Sequence, residues 1–273
     1  MAQAEQNALG QETDIKLLAA FLPHIRKSFV DVGAEQGAFG GFLAGHGLRG
    51  VMFEPLPKHK QALESLVSST QGVRHYNFAI DQQDGKADFH IACDEAGKPL
   101  DFFHSLQPLK DDTRVQHRQK LPVVCRSLAS LHADGLVEKS LGVLKIDTEG
   151  NDLRVLRGLG PVRADVIICE FFTAGIYNGW TDAEPTGLIR QAQELGYHRW
   201  LAVRRRGPSE LVTLDPLTFT EKEWGNLFFI KDSAFQAGWP AASRILAEVE
   251  DRLFAKLEAA STRKRHRWPW SSK

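Results

Sequence analysis

Short apolar runs rich in β-branched and aromatic residues recur along the middle of the chain, and between them apolar positions fall at helical spacing. Ser28-Phe-Val-Asp-Val-Gly33 is the first run, a buried strand meeting a glycine turn, and residues 39–44 form the helix after it. Gly50-Val-Met-Phe-Glu54 is a second strand, followed by a helix over 57–67 with proline in its first turn. Residues 73–80 read as a third strand; 141–147 and 164–170 are two more, flanking a short helix around 153–156. A helix over 185–195, a strand near 197–202 and a strand over 226–230 complete the series. Strand and helix alternating at this spacing predict an α/β fold, a mostly parallel sheet with helices on both faces. Residues 82–140 break the rhythm. Ala87-Asp-Phe-His-Ile alternates like a half-exposed strand and Leu121-Pro-Val-Val-Cys is another short one, so this interval reads as an insertion that widens the sheet or covers the ligand crevice.

The pattern also divides the chain. Residues 1–27 are a polar lead and an amphipathic helix over 14–22 stopped by Pro23, 28–231 are the α/β domain, and 232–273 are a helix and a basic tail. Within the last part, residues 242–260 set Leu246, Val249, Leu253 and Leu257 in one stripe, suited to packing on the domain or to a homodimer contact. Residues 263–270, Arg-Lys-Arg-His-Arg-Trp-Pro-Trp, suit a solvated terminus or peripheral contact with an anionic membrane surface.

Composition narrows the class. The chain has 273 residues, with 34 Lys+Arg against 34 Asp+Glu, so it lacks the basic surplus by which a nucleic-acid binder neutralises phosphates. Cys93, Cys125 and Cys169 are far apart with no CxxC, which argues against a disulfide framework or zinc knuckle and for a reducing compartment. Residues 1–10 show no basic start and no apolar run, and no stretch approaches the ~20 apolar residues of a membrane helix. The expectation is a cytoplasmic protein, with at most peripheral attachment at the inner membrane surface.

In an open α/β sheet the ligand sits beyond the carboxyl ends of the strands, so the closing residues of each strand carry the chemistry. The first strand ends Asp31-Val-Gly33-Ala34-Glu-Gln-Gly37; its glycines lie four apart, unlike GxGxxG, and Asp31 suits a ligand bearing a positive amino group better than a pyrophosphate. Glu54-Pro55 closes the second strand with a carboxylate placed to accept the hydroxyls of a ribose. Lys145-Ile-Asp147-Thr-Glu149-Gly150-Asn-Asp152 is the most specific run: alternation sets Lys145 and Asp147 on one side, and such charges at the end of an apolar strand mark either a polar pocket or an internal ion pair. Glu170 closes the next strand and adds an acid to the same rim.

Asp31-Val-Gly-Ala-x-x-Gly37, Phe53-Glu54-Pro55, Asn77-x-Ala79, Leu144-Lys-Ile-Asp-Thr-Glu-Gly150 and Asp152-Leu-x-Val-Leu-x-Gly158 together resemble the FkbM family of S-adenosylmethionine-dependent methyltransferases, over about residues 29–230. The resemblance implies a Rossmann-like class I methyltransferase fold, a seven-stranded sheet whose last strand runs antiparallel, and O-methylation of a hydroxyl on a glycan, glycolipid or secondary metabolite. It implies that Asp31, Gly33, Ala34 and Gly37 surround the methionine part of S-adenosylmethionine, that Glu54 and Pro55 meet the ribose, that Ala79, Ile80 and Asp81 border the adenine, and that Asp147 reaches the amino group or the reacting methyl. Asn151 and Ala129 depart from the family pattern, the first at the margin of the site and the second in the packing.

A sulfonium methyl is already activated, so the protein must place the acceptor and remove its proton. Asp147 and Glu149 are the candidate bases, with Lys145 beside them and His104 as a partner from the insertion. A divalent metal bridging Asp147 and Glu170 is one option, since some O-methyltransferases use Mg²⁺ to position the acceptor, but no compact run of oxygen ligands such as an EF-hand loop occurs, and no metal is expected. Two other readings stand beside this one: a non-catalytic cofactor-binding module partnering a glycan-processing enzyme, and a nicotinamide-dependent oxidoreductase. The second leaves Asp31, the glycine spacing and the Lys145–Gly150 run unexplained.

Overall fold

A computed structural model of the protein describes residues 12–109, 115–176, 181–207, 209–214 and 218–265. The elements run α1 (Glu12–Phe21), β1 (Ser28–Val32), α2 (Ala38–Gly45), β2 (Arg49–Phe53), α3 (Lys60–Ser69), β3 (Val73–Tyr76), β4 (Ala79–Ile80), β5 (Gly85–Cys93) and β6 (Gln116–Arg126). There follow α4 (Leu128–Ala133), β7 (Ser140–Ile146), α5 (Asp152–Arg157), β8 (Arg163–Phe172), α6 (Pro185–Glu194), β9 (Arg199–Arg206), β10 (Ser209–Leu214), β11 (Trp224–Ile230) and α7 (Asp232–Arg265).

The main sheet has the order β10-β9-β11-β8-β7-β1-β2-β3. Strands β1, β2, β3, β7 and β8 pair in parallel, and β11 lies antiparallel between β8 and β9. To the seven strands the resemblance implies, β10 adds an eighth by folding back antiparallel on β9 at the edge.

The run expected as a third strand over 73–80 divides in two. β3 stops at Tyr76, the Asn77 side-chain amide donates to the Glu54 carbonyl (3.0 Å) beside the end of β2, and Ala79–Ile80 leaves to pair with β6. β4, β6 and β5 make a separate three-stranded sheet. The interval 82–140 therefore does not widen the main sheet; its strands pair with each other and with β4, and the loop between them reaches the crevice.

Alternation along the strands sorts their side chains onto two faces. Val30, Val32, Leu144, Ile146, Ile167 and Cys169 pack with α4, α5 and α6 through Leu128, Leu156 and Leu188. Phe29, Val143, Val166, Ile168 and Phe228 pack on the other face with α1, α2 and α7 through Leu17, Phe21, Leu43, Ala234 and Val249. Both faces are covered, as near-continuous apolar strands require.

The C-terminal helix begins at Asp232, ten residues before the stretch read as amphipathic, and carries Pro240 inside it. Its early part is held by contact: a Cβ at Gly238 would lie 2.3 Å from the Phe21 ring, so glycine there brings α7 against α1. Of the predicted stripe, Val249 is buried and Leu246 packs beside it; the Leu257 side chain and residues 266–270 of the basic tail lie outside the described residues. No described helix is long and apolar enough to cross a membrane.

α1 is also tied to the far edge of the sheet by buried charge. Asp14, fully buried, accepts from Asn226 Nδ2 at 3.0 Å and from Arg205 Nη2, while Arg205 Nε donates to Glu210 at 3.1 Å.

Candidate active site

Strand order reverses between β1 and β7, and a crevice of about 500 Å³ opens beyond the carboxyl ends of these strands, where such folds bind ligands. The parallel register sets Asp31 directly beside Lys145. Asp31 is fully buried and neither of its carboxylate oxygens has a hydrogen-bond partner among the described residues; Lys145 Nζ stands 3.9 Å away, beyond hydrogen-bonding range. Burial pushes the Asp31 carboxyl up to about 6, against the opposing pull of the Lys145 charge. Lys145 donates to Asp147 Oδ2 at 2.9 Å and lies 5.6 Å from the centre of the Phe39 ring. Burial works against its charge, but Asp147 and Asp31 outweigh burial and raise its pKa.

The turn after β1 is built by backbone. Gly33 N and Ala34 N both donate to Phe53 O (3.0 and 3.1 Å), and Asp147 N donates to Val32 O (3.0 Å), drawing the ends of β1, β2 and β7 together. Gly33 has φ +78°, and a Cβ on it would lie 1.8 Å from the Asp147 carbonyl oxygen, so only glycine fits. Glu54 is buried, with Oε1 accepting from Leu56 N (2.8 Å) and Oε2 from Glu35 N (3.0 Å). Burial raises its carboxyl to about 7 despite these two donors. The geometry holds both oxygens along the crevice wall.

Beyond Asp147 the chain bends sharply, with Glu149 in the left-handed region at φ +52°. Asp152 braces this bend: it accepts from Thr148 Oγ1 (2.6 Å) and from Glu170 N (3.1 Å), joining the end of β7 to the end of β8. Glu149 Oε1 accepts from Phe103 N at 3.3 Å, while its Oε2 and Glu170 Oε2 are buried without a partner among the described residues. Burial first, then the neighbouring Asp147 charge, push both carboxyls well above the ordinary range.

The cover comes from the loop between β5 and β6. Phe102, Phe103 and His104 line the crevice, and His117 holds the loop by accepting from Leu109 N (3.1 Å) and donating to Phe103 O (2.8 Å). His104 is buried; burial and then Lys58 push its pKa down to about 4. Ala92 N donates to its Nδ1 at 2.9 Å, and its Nε2 lies 2.9 Å from Lys58 Nζ. Both ring nitrogens are thus engaged within the protein, which does not suit the base-partner role expected for it.

Of the residues expected in the site, Asp31, Gly33, Ala34, Glu54, Pro55, Ala79, Ile80, Lys145, Asp147 and Glu149 all line the crevice. Gly37 and Asp81 are not among its lining residues. Gly37 caps α2 at φ +82°, where a Cβ would meet Leu66 at 2.7 Å, so it closes the turn against α3. Asp81 is held by Arg154 through two hydrogen bonds (2.7 and 2.9 Å), and Asn151, fully buried, donates to the Ile80 carbonyl (3.3 Å) beside it. Ala129 serves packing: a Cβ at Gly160 would come within 2.6 Å of its Cβ. The sequence reading missed Glu35, His59, Phe78, Phe89, Trp224 and Asn226 as lining residues. Only Glu35, inside the glycine turn, carried a local signal.

This topology and this crevice define a class I methyltransferase fold. The chain belongs to the FkbM methyltransferase family: the Methyltransferase FkbM domain model matches residues 31–199, more than half of it. No curated protein sequence matches it. Among solved structures it is similar to a precorrin-6y C5,15-methyltransferase from Geobacter metallireducens, with 9% identity over 83% of this chain and 92% of that one and a TM-score of 0.42. It is similar to a putative O-methyltransferase from Klebsiella pneumoniae (13% identity, 81% and 80% covered, TM-score 0.41). A third similar structure is a TehB-like methyltransferase from Corynebacterium glutamicum (12% identity, 83% and 92% covered, TM-score 0.40).

Proposed function

We propose that the protein uses S-adenosylmethionine to methylate a hydroxyl oxygen on a glycan, glycolipid or secondary metabolite. The observation that carries this reading is Asp31: a fully buried carboxylate at the switch point with both oxygens unpartnered, fit to receive a charged amino group. The rest of the crevice suits the same cofactor. Glu54 presents a carboxylate held by two backbone amides for the ribose, and Ala79 and Ile80 supply an apolar wall for the adenine. When bound, S-adenosylmethionine supplies a methyl group already activated on its sulfonium.

The chain's own residues then have three tasks. The glycine turn, pressed against the Asp147 backbone, holds the donor side. The Phe102–His104 cover holds the acceptor and excludes water. Asp147, partly exposed and oriented by Lys145, takes the proton of the acceptor hydroxyl, while Glu149 is held beneath the cover by the Phe103 amide. An acceptor on a glycolipid is also served by the basic tryptophan-bearing tail, through contact with an anionic membrane at 263–270.

Calorimetric titration with S-adenosylhomocysteine, with NAD⁺ in parallel, tests the cofactor. Binding of the first alone, on the order of micromolar Kd, and a loss of roughly 10–100-fold in Glu54→Ala are expected, the worth of hydrogen bonds to a charged group. Binding of NAD⁺ instead refutes the reading. Incubation with methyl-labelled cofactor and a panel of sugar hydroxyls and amines tests the acceptor. Label in ethers, reduced roughly 10²–10⁴-fold in Asp147→Ala, is expected. Label only in amines overturns O-methylation.

A further inference from the structure

We propose that Asp147, Glu149 and Glu170 form a binding site for one hard divalent cation at the acceptor end of the crevice. One carboxylate oxygen from each lies within 4.8 Å of the others. An ion with oxygen ligands at ~2.1–2.4 Å spans at most about 4.8 Å between opposite ligands, so a single ion can touch all three.

The second observation is the state of the oxygens themselves. Glu149 Oε2 and Glu170 Oε2 are buried, face the same crevice and have no hydrogen-bond partner among the described residues. Buried carboxylate oxygens are paired or coordinate metals as a rule, because an unpaired one forfeits its hydration for nothing. Lys145, already shared between Asp147 and Asp31, is the only cation that pairs with the acids of this rim among the described residues. Neither Glu149 nor Glu170 has an ion-pair partner there, and a charge of two would offset most of what Lys145 leaves over.

The donors are all oxygen, which selects Mg²⁺, Mn²⁺ or Ca²⁺ over the thiolate- and imidazole-loving metals. Asp152 keeps the donors in place without competing, since its own oxygens are taken by Thr148 and the Glu170 amide. This arrangement is invisible as a motif because the ligands come from the ends of two different strands, β7 and β8. Three protein ligands leave coordination positions open to the crevice, where an acceptor hydroxyl would be held. That last step alone rests on the methyltransferase reading.

Titration of the full chain with Mn²⁺, following free ion by electron paramagnetic resonance, tests the site without cofactor or acceptor. One Mn²⁺ per chain is expected, with the Kd raised tenfold or more in Glu170→Gln and again in Glu149→Gln. S-adenosylhomocysteine binding and the melting temperature, measured on the same variants, should be retained, which shows that they are folded. Absence of Mn²⁺ binding at millimolar concentration, or binding unchanged in both variants, overturns the proposal. Mn²⁺ binding in a protein that fails to bind S-adenosylhomocysteine upholds the cation site and refutes the methyltransferase reading instead.

Discussion

Two fully buried aspartates in this fold live under opposite rules. Asp14, on α1, accepts from Arg205 and Asn226, and Arg205 is shared with Glu210, so each charge meets its opposite at hydrogen-bonding distance. Asp31, at the end of β1, has no such partner: only the weaker pull of the Gly40 amide acts on it, and its nearest cation is turned toward Asp147. Burial is the same at the two sites; partnering is not. The first cluster joins a helix to the edge of the sheet and pairs its charges without a ligand, leaving only Arg205 Nη1 of its groups without a partner among the described residues. The second holds unspent acceptor capacity in an open crevice, together with Glu149 and Glu170. A buried charge by itself does not mark a functional site, and an unpartnered one that lines a crevice does.

Replacing either acid by its amide breaks or sharpens this contrast. The largest effect is expected in Asp14→Asn, which leaves Arg205 buried without its closest counter-charge; a loss of about 3–5 kcal/mol is expected in chemical denaturation, with little change in S-adenosylhomocysteine affinity per folded molecule. A loss under about 1 kcal/mol would show that the two clusters are energetically alike.

Asp31→Asn should do the reverse, with stability unchanged or raised by on the order of 2 kcal/mol at neutral pH and ligand affinity reduced at least tenfold. The pH dependence follows from the same group. Its carboxyl, raised from 3.8 to about 6, binds a proton more tightly in the folded chain than in the unfolded one. The stability it contributes is therefore full below about pH 4 and is lost as the pH rises to about 6. Urea unfolding across that window should show wild-type stability falling with a slope that Asp31→Asn reduces. Asp14, which burial likewise pushes up to about 6, titrates in the same window in both proteins, so equal slopes would mean that Asp31 adds no strain of its own.

The smallest effect is expected at the cover. His104→Gln should cost less than ~1 kcal/mol, since the amide can still accept from Ala92 N. With the imidazole held near 4 by burial, cofactor binding between pH 6 and 8 should have the same profile in both proteins. An acid limb near 6.5 that vanishes in the variant would instead give His104 a charge-changing role.

The strand-end acids were legible because their signals are local. Asp31, Glu54 and Lys145 each close an apolar run, and in a parallel α/β sheet the end of a strand is also the edge of the crevice, so position in the chain translates into position in the site. The glycine turn was legible for the same reason, since Gly33 and Gly37 sit where the backbone must take positive φ. Gly37 shows the limit of that reading: its hydrogen in place of a side chain faces Leu66, not the ligand. Asp81 shows another limit, because its Arg154 partner lies on α5 and no periodicity near residue 81 announces it.

Periodicity and strand-end chemistry therefore determined the α/β class, the covered parallel sheet and most of the donor side of the crevice, all of which depend on neighbours two to four residues apart. Tertiary structure decided the eighth strand, the detachment of β4 into a second sheet, the closing of the β5–β6 loop over the site, and the meeting of Glu149 with Glu170. Those contacts join segments far apart in the chain, and their geometry is set by sheet order, packing and the direction of individual side chains, none of which leaves a local pattern in the sequence.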